Sequence, residues 1–168
     1  MTNKMKEIFV EKIVLNMGIG PEPNEIKKAQ TIMERLAGQK PVQTKAKIKQ
    51  PSWGLRPGIP IGLKVTLRKQ RAQDFLVNAL KAKDPTLRKK NFDRNGNFGF
   101  GIKEYIDRPG TKYDPQLGVR GFDVLVSLNR PGFRVKKRKI NTKVGKKHLI
   151  TRDDAIGFMK EKYKIEVE

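Results

Sequence analysis

The sequence predicts an α+β fold: a mainly antiparallel sheet with helices packed on one face, in two layers, carrying long loops and a basic arm. Three observations point there. Several short segments alternate apolar and polar residues with the two-residue period of strands. Two longer segments place apolar residues at helical spacing. The connections between them are rich in glycine and proline, and no run approaches the ~18 consecutive apolar residues of a membrane-spanning helix. At 168 residues the chain is long enough for one well-cored domain and short for two, so residues 1–168 are expected to form a single domain.

Residues 8–17 (IFVEKIVLNM) read as the first strand, with Ile13, Leu15 and Met17 on one face and Val14 and Asn16 on the other. The turn GIGPEP leads into a helix over 24–37 whose stripe is Ile26, Ala29, Met33 and Leu36. Gly38 stands where a helix ends in left-handed backbone. In the next strand (PVQTKAKI), Val42, Thr44, Ala46 and Ile48 are expected to face inward and Gln43, Lys45, Lys47 and Lys49 outward. QPSWGLRPGIP follows as a loop stiffened by Pro51, Pro57 and Pro60, and it holds the only tryptophan, Trp53. IGLKVTLR then alternates again, with Ile61, Leu63, Val65 and Leu67 inward and Lys64, Thr66 and Arg68 outward.

A second helix, over 70–82, buries Phe75, Leu76, Ala79 and Leu80, and Asp84-Pro85 is expected to stop it. Residues 95–102 (NGNFGFGI) form a strand with Phe98, Phe100 and Ile102 inward, and 121–128 (GFDVLVSL) another with Phe122, Val124, Val126 and Leu128 inward. The turn-rich RPGTKYDPQLG lies between them. A basic arm at about 130–147 includes Arg134, Lys136, Lys137, Arg138 and Lys139 and is expected to order only on a partner. Thr151 and Asp154 form an approximate capping box for a last helix over about 151–163, burying Ala155, Ile156 and Met159.

Charge narrows the function. Thirty-eight Lys and Arg against 17 Asp and Glu leave a net +21, and such self-repulsion opposes compaction unless a polyanion neutralises it. Nucleic acid is the usual partner at this level, ahead of an acidic membrane surface. The cations are also segregated: residues 35–73 and 124–152 each hold ten Lys/Arg and no acid. This predicts one basic face rather than a uniformly solvated surface, with the two-layer sandwich presenting a bare sheet face in the manner of RNA-recognition folds. Asn16, Gln43, Lys45, Lys47, Lys64, Thr66 and Arg68 are the residues expected to project from it, short of acids.

Catalytic and cofactor chemistry is missing from the pattern. Without cysteine and with a single histidine, the chain offers neither disulfides nor a thiolate or imidazole metal site, and no cofactor is expected. GIG at 18–20 lacks the third glycine of a dinucleotide fingerprint, whose place is taken by Pro23, and the Gly-Lys-Ser/Thr ending of a P-loop. FGFG at 98–101 does not match an RNA-recognition aromatic motif, and its phenylalanines are expected to pack inward. His148 is expected at the surface or against phosphate, and Asp153 and Asp154 as helix N-terminal carboxylates. Absence of cysteine suits a reducing, cytoplasmic setting.

KIVLNMGIG, AGQKPVQTKAK, RPGIPIGLKVTLR, FDRNGNFGFGIKEY and GVRGFDVLV, in this order and spacing, resemble the universal large-subunit ribosomal protein five family, over about residues 8–130. The tail LNRPGFRVKKRKINTKVGKKHLITRDDAIGFM resembles its archaeal and eukaryotic branch. The resemblance implies a non-catalytic ribosomal component that binds 5S rRNA in the central protuberance. It implies hydrogen bonding by Asn16, Gln39 and Thr66, with Lys45, Lys47, Lys64 and Arg68 on phosphate. It further implies that the loop bearing Gln50, Ser52, Trp53 and Arg56 reaches the P-site tRNA. Residues 84–91 and 105–118 would bridge to a small-subunit head protein, and a neighbouring 5S-binding protein would complete the partners. For Trp53 an RNA stacking contact assisted by Arg56 is expected, with core packing beneath the loop as the alternative. A general nucleic-acid chaperone using charge alone is the competing class.

Overall fold

The computed structural model describes residues 3–82, 86–111, 113–138, 140 and 142–167. Its central strand is β1 (Phe9–Gly18), which runs antiparallel to both neighbours. With β2 (Val42–Lys45), β3 (Pro60–Arg68), β5 (Phe98–Ile102) and β6 (Phe122–Asn129) it forms a five-stranded sheet in the order β2-β3-β1-β6-β5. A separate pair, β4 (Thr86–Leu87) and β7 (Glu166–Val167), is parallel.

Alternation divides the sheet's two faces. Ile13, Leu15 and Met17 stand opposite Leu67, Val65 and Leu63, and all six are buried. Phe98, Phe100 and Ile102 of β5 and Phe122, Val124, Val126 and Leu128 of β6 join them, as the sequence predicts. The helices α1 (Pro23–Ala37) and α2 (Lys69–Ala82) cover this face, α1 on β3 and α2 on β1 and β3. Ile26, Ala29, Ile32, Met33 and Leu36 line the buried side of α1, and Ala72, Phe75, Leu76, Ala79 and Leu80 that of α2. Gly38 ends α1 with φ 65°, and its N–H bonds the Glu34 carbonyl. The residues expected to stop α2, Asp84 and Pro85, lie outside the described residues. Among the described residues, no helix is long and apolar enough to cross a membrane.

Beyond the β5 edge, Phe92 stacks tilted on Phe98 at 5.1 Å between ring centroids, and Ile150, Ala155, Met159 and Ile165 extend the same core. Strand β5 starts three residues later than the alternation implied. Residues 93–97 instead form a turn, with Gly96 at φ 77° against the Ile150 side chain.

The helix α3 (Arg152–Tyr163) has a complete capping box: Thr151 Oγ accepts from the Asp154 N–H, and Asp154 Oδ2 accepts from the Thr151 N–H. The same carboxylate receives Arg130 Nη2 at 3.1 Å. Arg130, following the end of β6, also donates from Nη1 to the Leu149 carbonyl at 3.2 Å and to the His148 carbonyl at 3.4 Å. His148, expected at the surface or against phosphate, has one ring nitrogen engaged within the fold. It is half-buried, donates from Nε2 to the Pro131 carbonyl at 2.8 Å, and packs edge-on to Phe133. Arg130 and His148 thus close the two ends of the basic arm on each other. Phe133–Lys137, within the segment expected to order only on a partner, forms a 3-10 turn beside that closure. Two local features had hidden it: the buried cation is one among many in the sequence, and its partners are backbone carbonyls.

Burial alone would raise the Asp154 carboxyl, but the Thr151 hydrogen bonds and Arg130 together hold it below the usual carboxylate range. With a depressed folded value, its contribution is complete above the unfolded pKa of ~3.9 and is lost as pH falls through the folded one. Acid titration of stability should therefore be shallower below about pH 4 in Asp154→Asn than in the parent chain. Arg130→Met strands two carbonyls and that carboxylate, and should lower the melting temperature by about 4–8 °C, corresponding to about 2 kcal/mol.

Candidate nucleic-acid interface

The face of the sheet opposite the helices is bare, and the register of β1 sets its rows. Arg68, Lys12 and Ser127 form one; Thr66, Val14, Leu125 and Gly99 the next; and Val42, Lys64, Asn16, Asp123 and Gly101 a third. Asn16, Lys64, Thr66 and Arg68 therefore share one surface, as the alternation of β1 and β3 predicts. Lys12, Val14, Leu125 and Ser127 share it too. Val14 is expected there beside Asn16; Lys12, Leu125 and Ser127 are found by counting on by twos from Asn16 and taking the residues between the inward ones of β6.

Strand β2 departs from its predicted phase. Gln43 stands opposite Leu63, which puts it on the helix side of the sheet's edge, while Val42 and Thr44 face the open side. A register shift separates Thr44 from Lys45, and Lys47 lies beyond the last paired residue. Gln43, Lys45 and Lys47 are exposed; Gln43 borders the face, and the register shift leaves Lys45 opposite Pro60. The physical reason is that β2 is a four-residue edge strand, exposed along nearly all its length, so burial does not enforce its alternation. Gln39, at the α1–β2 junction, donates from Nε2 to the Thr66 carbonyl at 3.1 Å. That carbonyl lies past the end of β2's pairing with β3.

The face is also less free of acids than expected. Asp123 lies in the Asn16 row, and Glu11 occupies a bulge where the β1–β6 register shifts between Val10 and Lys12. Glu11 accepts from Asn129 Nδ2 at 3.2 Å, pairs with Lys137 of the arm, and lies 3.8 Å from Arg68 Nη1. The arm's root and the edge of the open face are thereby tied together. Of the arm cations expected to act, Arg134, Lys136, Lys137 and Arg138 are exposed, and Lys139 lies outside the described residues.

The loop between β2 and β3 is a closed hairpin. Ala46 exchanges hydrogen bonds with Ile59 and Gly58 at its base, and Gln50 exchanges two with Leu55 near its tip. Between these, Pro51–Trp53 forms a 3-10 turn ended by Gly54 at φ 65°, and Gln50 Nε2 donates to Ser52 Oγ at 3.2 Å. Trp53 stands 71% exposed on this tip, so it is not packed beneath the loop. Arg56 is exposed beside it. The GIG turn offers no phosphate cradle, because the N–H groups of Ile19 and Gly20 both bond the Ile61 carbonyl at 3.0 Å. In the 105–118 loop, Tyr105 is buried. Arg108 lies over the Phe75 ring at 4.7 Å and donates to the Leu36 carbonyl, and its burial lowers its pKa.

A bare, cation-bearing sheet face on a two-layer α+β scaffold, extended by a basic arm and a hydrogen-bonded hairpin, is the build of a module that docks on a polyanion. Comparison with known proteins gives it a family. The family model for ribosomal protein L5 matches residues 3–56, and the model for the C-terminus of the same ribosomal family matches residues 60–158. Relatives named large ribosomal subunit protein uL5 include those of Methanoregula boonei (40% identical, 97% of this chain and 99% of the relative), Nanoarchaeum equitans (43%, 99% of each) and Methanococcoides burtonii (43%, 100% of each). The chain belongs to the ribosomal protein L5 family, whose members are structural ribosomal proteins and not enzymes.

The hairpin geometry separates surface from core. Trp53→Ala should leave the melting temperature within about 2 °C of the parent, whereas Phe92→Ala should cost about 3–5 kcal/mol, both measurable by thermal and urea unfolding.

Proposed function

We propose that the chain is a constituent of the large ribosomal subunit in the cytoplasm, acting as one domain that holds 5S rRNA on its open sheet face in the central protuberance. The observation that carries this reading is the meeting of Asn16, Lys64, Thr66 and Arg68 on one uncovered face of a chain in this family. Amide and hydroxyl groups there can bond phosphate, the 2′-hydroxyl or a base edge, and the cations gain by releasing counterions. Gln39 braces the Thr66 carbonyl and adds its own polar edge. Lys45, Lys47 and the bordering Gln43 hold the RNA backbone beside the face.

On the same reading, the hairpin carrying Gln50, Ser52, Trp53 and Arg56 contacts the P-site tRNA. Its proline-stiffened, hydrogen-bonded tip loses little freedom on contact. The arm cations Arg134, Lys136, Lys137, Arg138 and Lys139 bind further rRNA. Residues 84–91 and 105–118 serve the bridge to a small-subunit head protein, and a neighbouring 5S-binding protein completes the assembly. Exposed Trp53, with Arg56, supports stacking on RNA.

The test is competitive binding of 5S rRNA with nuclease footprinting. Thr66→Ala and Asn16→Ala should each weaken 5S binding about fivefold, the equivalent of about 1 kcal/mol, with the fold intact. Protection should be confined to one stem-loop. Equal competition by random RNA, or unchanged affinity in both variants, would remove this face from 5S recognition.

A further inference from the structure

The open face is chemically divided. Its β3 side presents Lys64, Thr66 and Arg68, whereas the β5–β6 side holds a shallow depression of about 340 Å³ in which Lys12 is the lining cation. The floor is apolar and flat. Val14 stands opposite Leu125, Leu125 opposite Gly99, and Leu125 is 49% exposed. Gly99 keeps the floor open, since a Cβ there would sit 2.7 Å from Leu125 Cδ2.

The rim is polar and internally hydrogen-bonded. Asn91, Asp93 and Asn97 flank a turn in which the Asp93 N–H bonds the Asn97 carbonyl at 2.7 Å and the Gly96 N–H bonds the Asp93 carbonyl at 3.1 Å. The stacked Phe92 and Phe98 rings close its base. Asp93 Oδ1 accepts from the Arg94 N–H at 2.6 Å, which orients the carboxylate and leaves its second oxygen for a ligand. Ser127 Oγ donates to Asn97 Oδ1 at 3.2 Å, which commits the carbonyl oxygen and leaves donation to the amide NH2.

This combination disfavours phosphate. Asp93 would repel it, and the hydrocarbon floor could not solvate it. A planar heterocycle suits all of it: the ring lies on Leu125 and the bare β5 backbone, its amino group donates to the Asp93 carboxylate, and its acceptors receive from Asn97. The segment that supplies Asn91 and Asp93 also bears exposed Arg88, Lys89, Lys90 and Arg94, complementary to the backbone from which such a base would be turned out. We propose that this depression seats one unpaired, amino-bearing nucleobase of the RNA whose phosphates lie on the β3 cations. The inference rests on the RNA-binding reading above and adds a base-contacting half to its phosphate-contacting half.

Leu125→Ser removes the floor from an exposed position, and Gly99→Val fills it. Binding of 5S rRNA by the full chain is measured across a salt series, beside a fully paired RNA duplex. Each variant should weaken 5S binding about fivefold or more, with the slope of log affinity against log salt unchanged and duplex binding unaltered. Lys64→Ala, by contrast, should lower the slope by about one. Leu125→Ser isolates the seat from packing, because Gly99→Val must displace Leu125. Unchanged 5S affinity in Leu125→Ser, an altered salt slope, or an equal loss on duplex would overturn the base seat while leaving RNA binding by the sheet standing. Failure of the parent chain to prefer 5S rRNA would instead overturn the reading beneath it.

Discussion

The register of β1 between β3 and β6 is the constraint on which both faces depend. Pairing Ile13 with Leu67 and Val126 buries one set of residues beneath the helices and, by the same act, lines up Lys12, Val14 and Asn16 with Arg68, Thr66 and Lys64 on the other side. A slip of one residue would exchange the sets and put lysine into the core. Core burial is therefore what specifies the functional face. That face needs no hydrophobic cohesion of its own, so it is free to carry mutually repelling cations.

The same constraint explains which parts were legible in the sequence. Strands β1, β3, β5 and β6 are each buried on one face, so their hydropathy alternates and their outward residues can be read off. The stripes on α1 and α2 and the left-handed Gly38 were readable for the same reason. Strand β2 was not: Val42 in it and Ile48 beyond its end are exposed, and their apolar character says nothing about orientation. Glu11 was misleading in another way, because a bulge places an acid on a face that strict alternation would leave basic.

Long-range polar contacts were the least legible. Arg130, Asp154 and the carbonyls at 148 and 149 meet across a long stretch of chain, and nothing local marks Arg130 apart from its neighbours in a chain with 38 Lys and Arg. The capping box could be anticipated because it is a local pattern; its use as a receptor for a buried guanidinium could not. The division of the open face was hidden for a related reason. Asp93 and Asn97 become neighbours of Leu125 only because the closure of Phe92 on Phe98 folds a turn beside the sheet.

The closure of the basic arm by Arg130 and His148 has an evolutionary corollary. The two ends of the segment are held against each other by groups that belong to the fold, and within it Phe133 packs on His148 and Lys137 pairs with Glu11. The entropic cost of closing such a loop grows only slowly with its length. A change in the length of the arm beyond Lys137 should therefore carry only a small penalty to the scaffold. The arm is thus a place where cations can be added or spaced anew while the register of the sheet and the packing beneath it stay as they are.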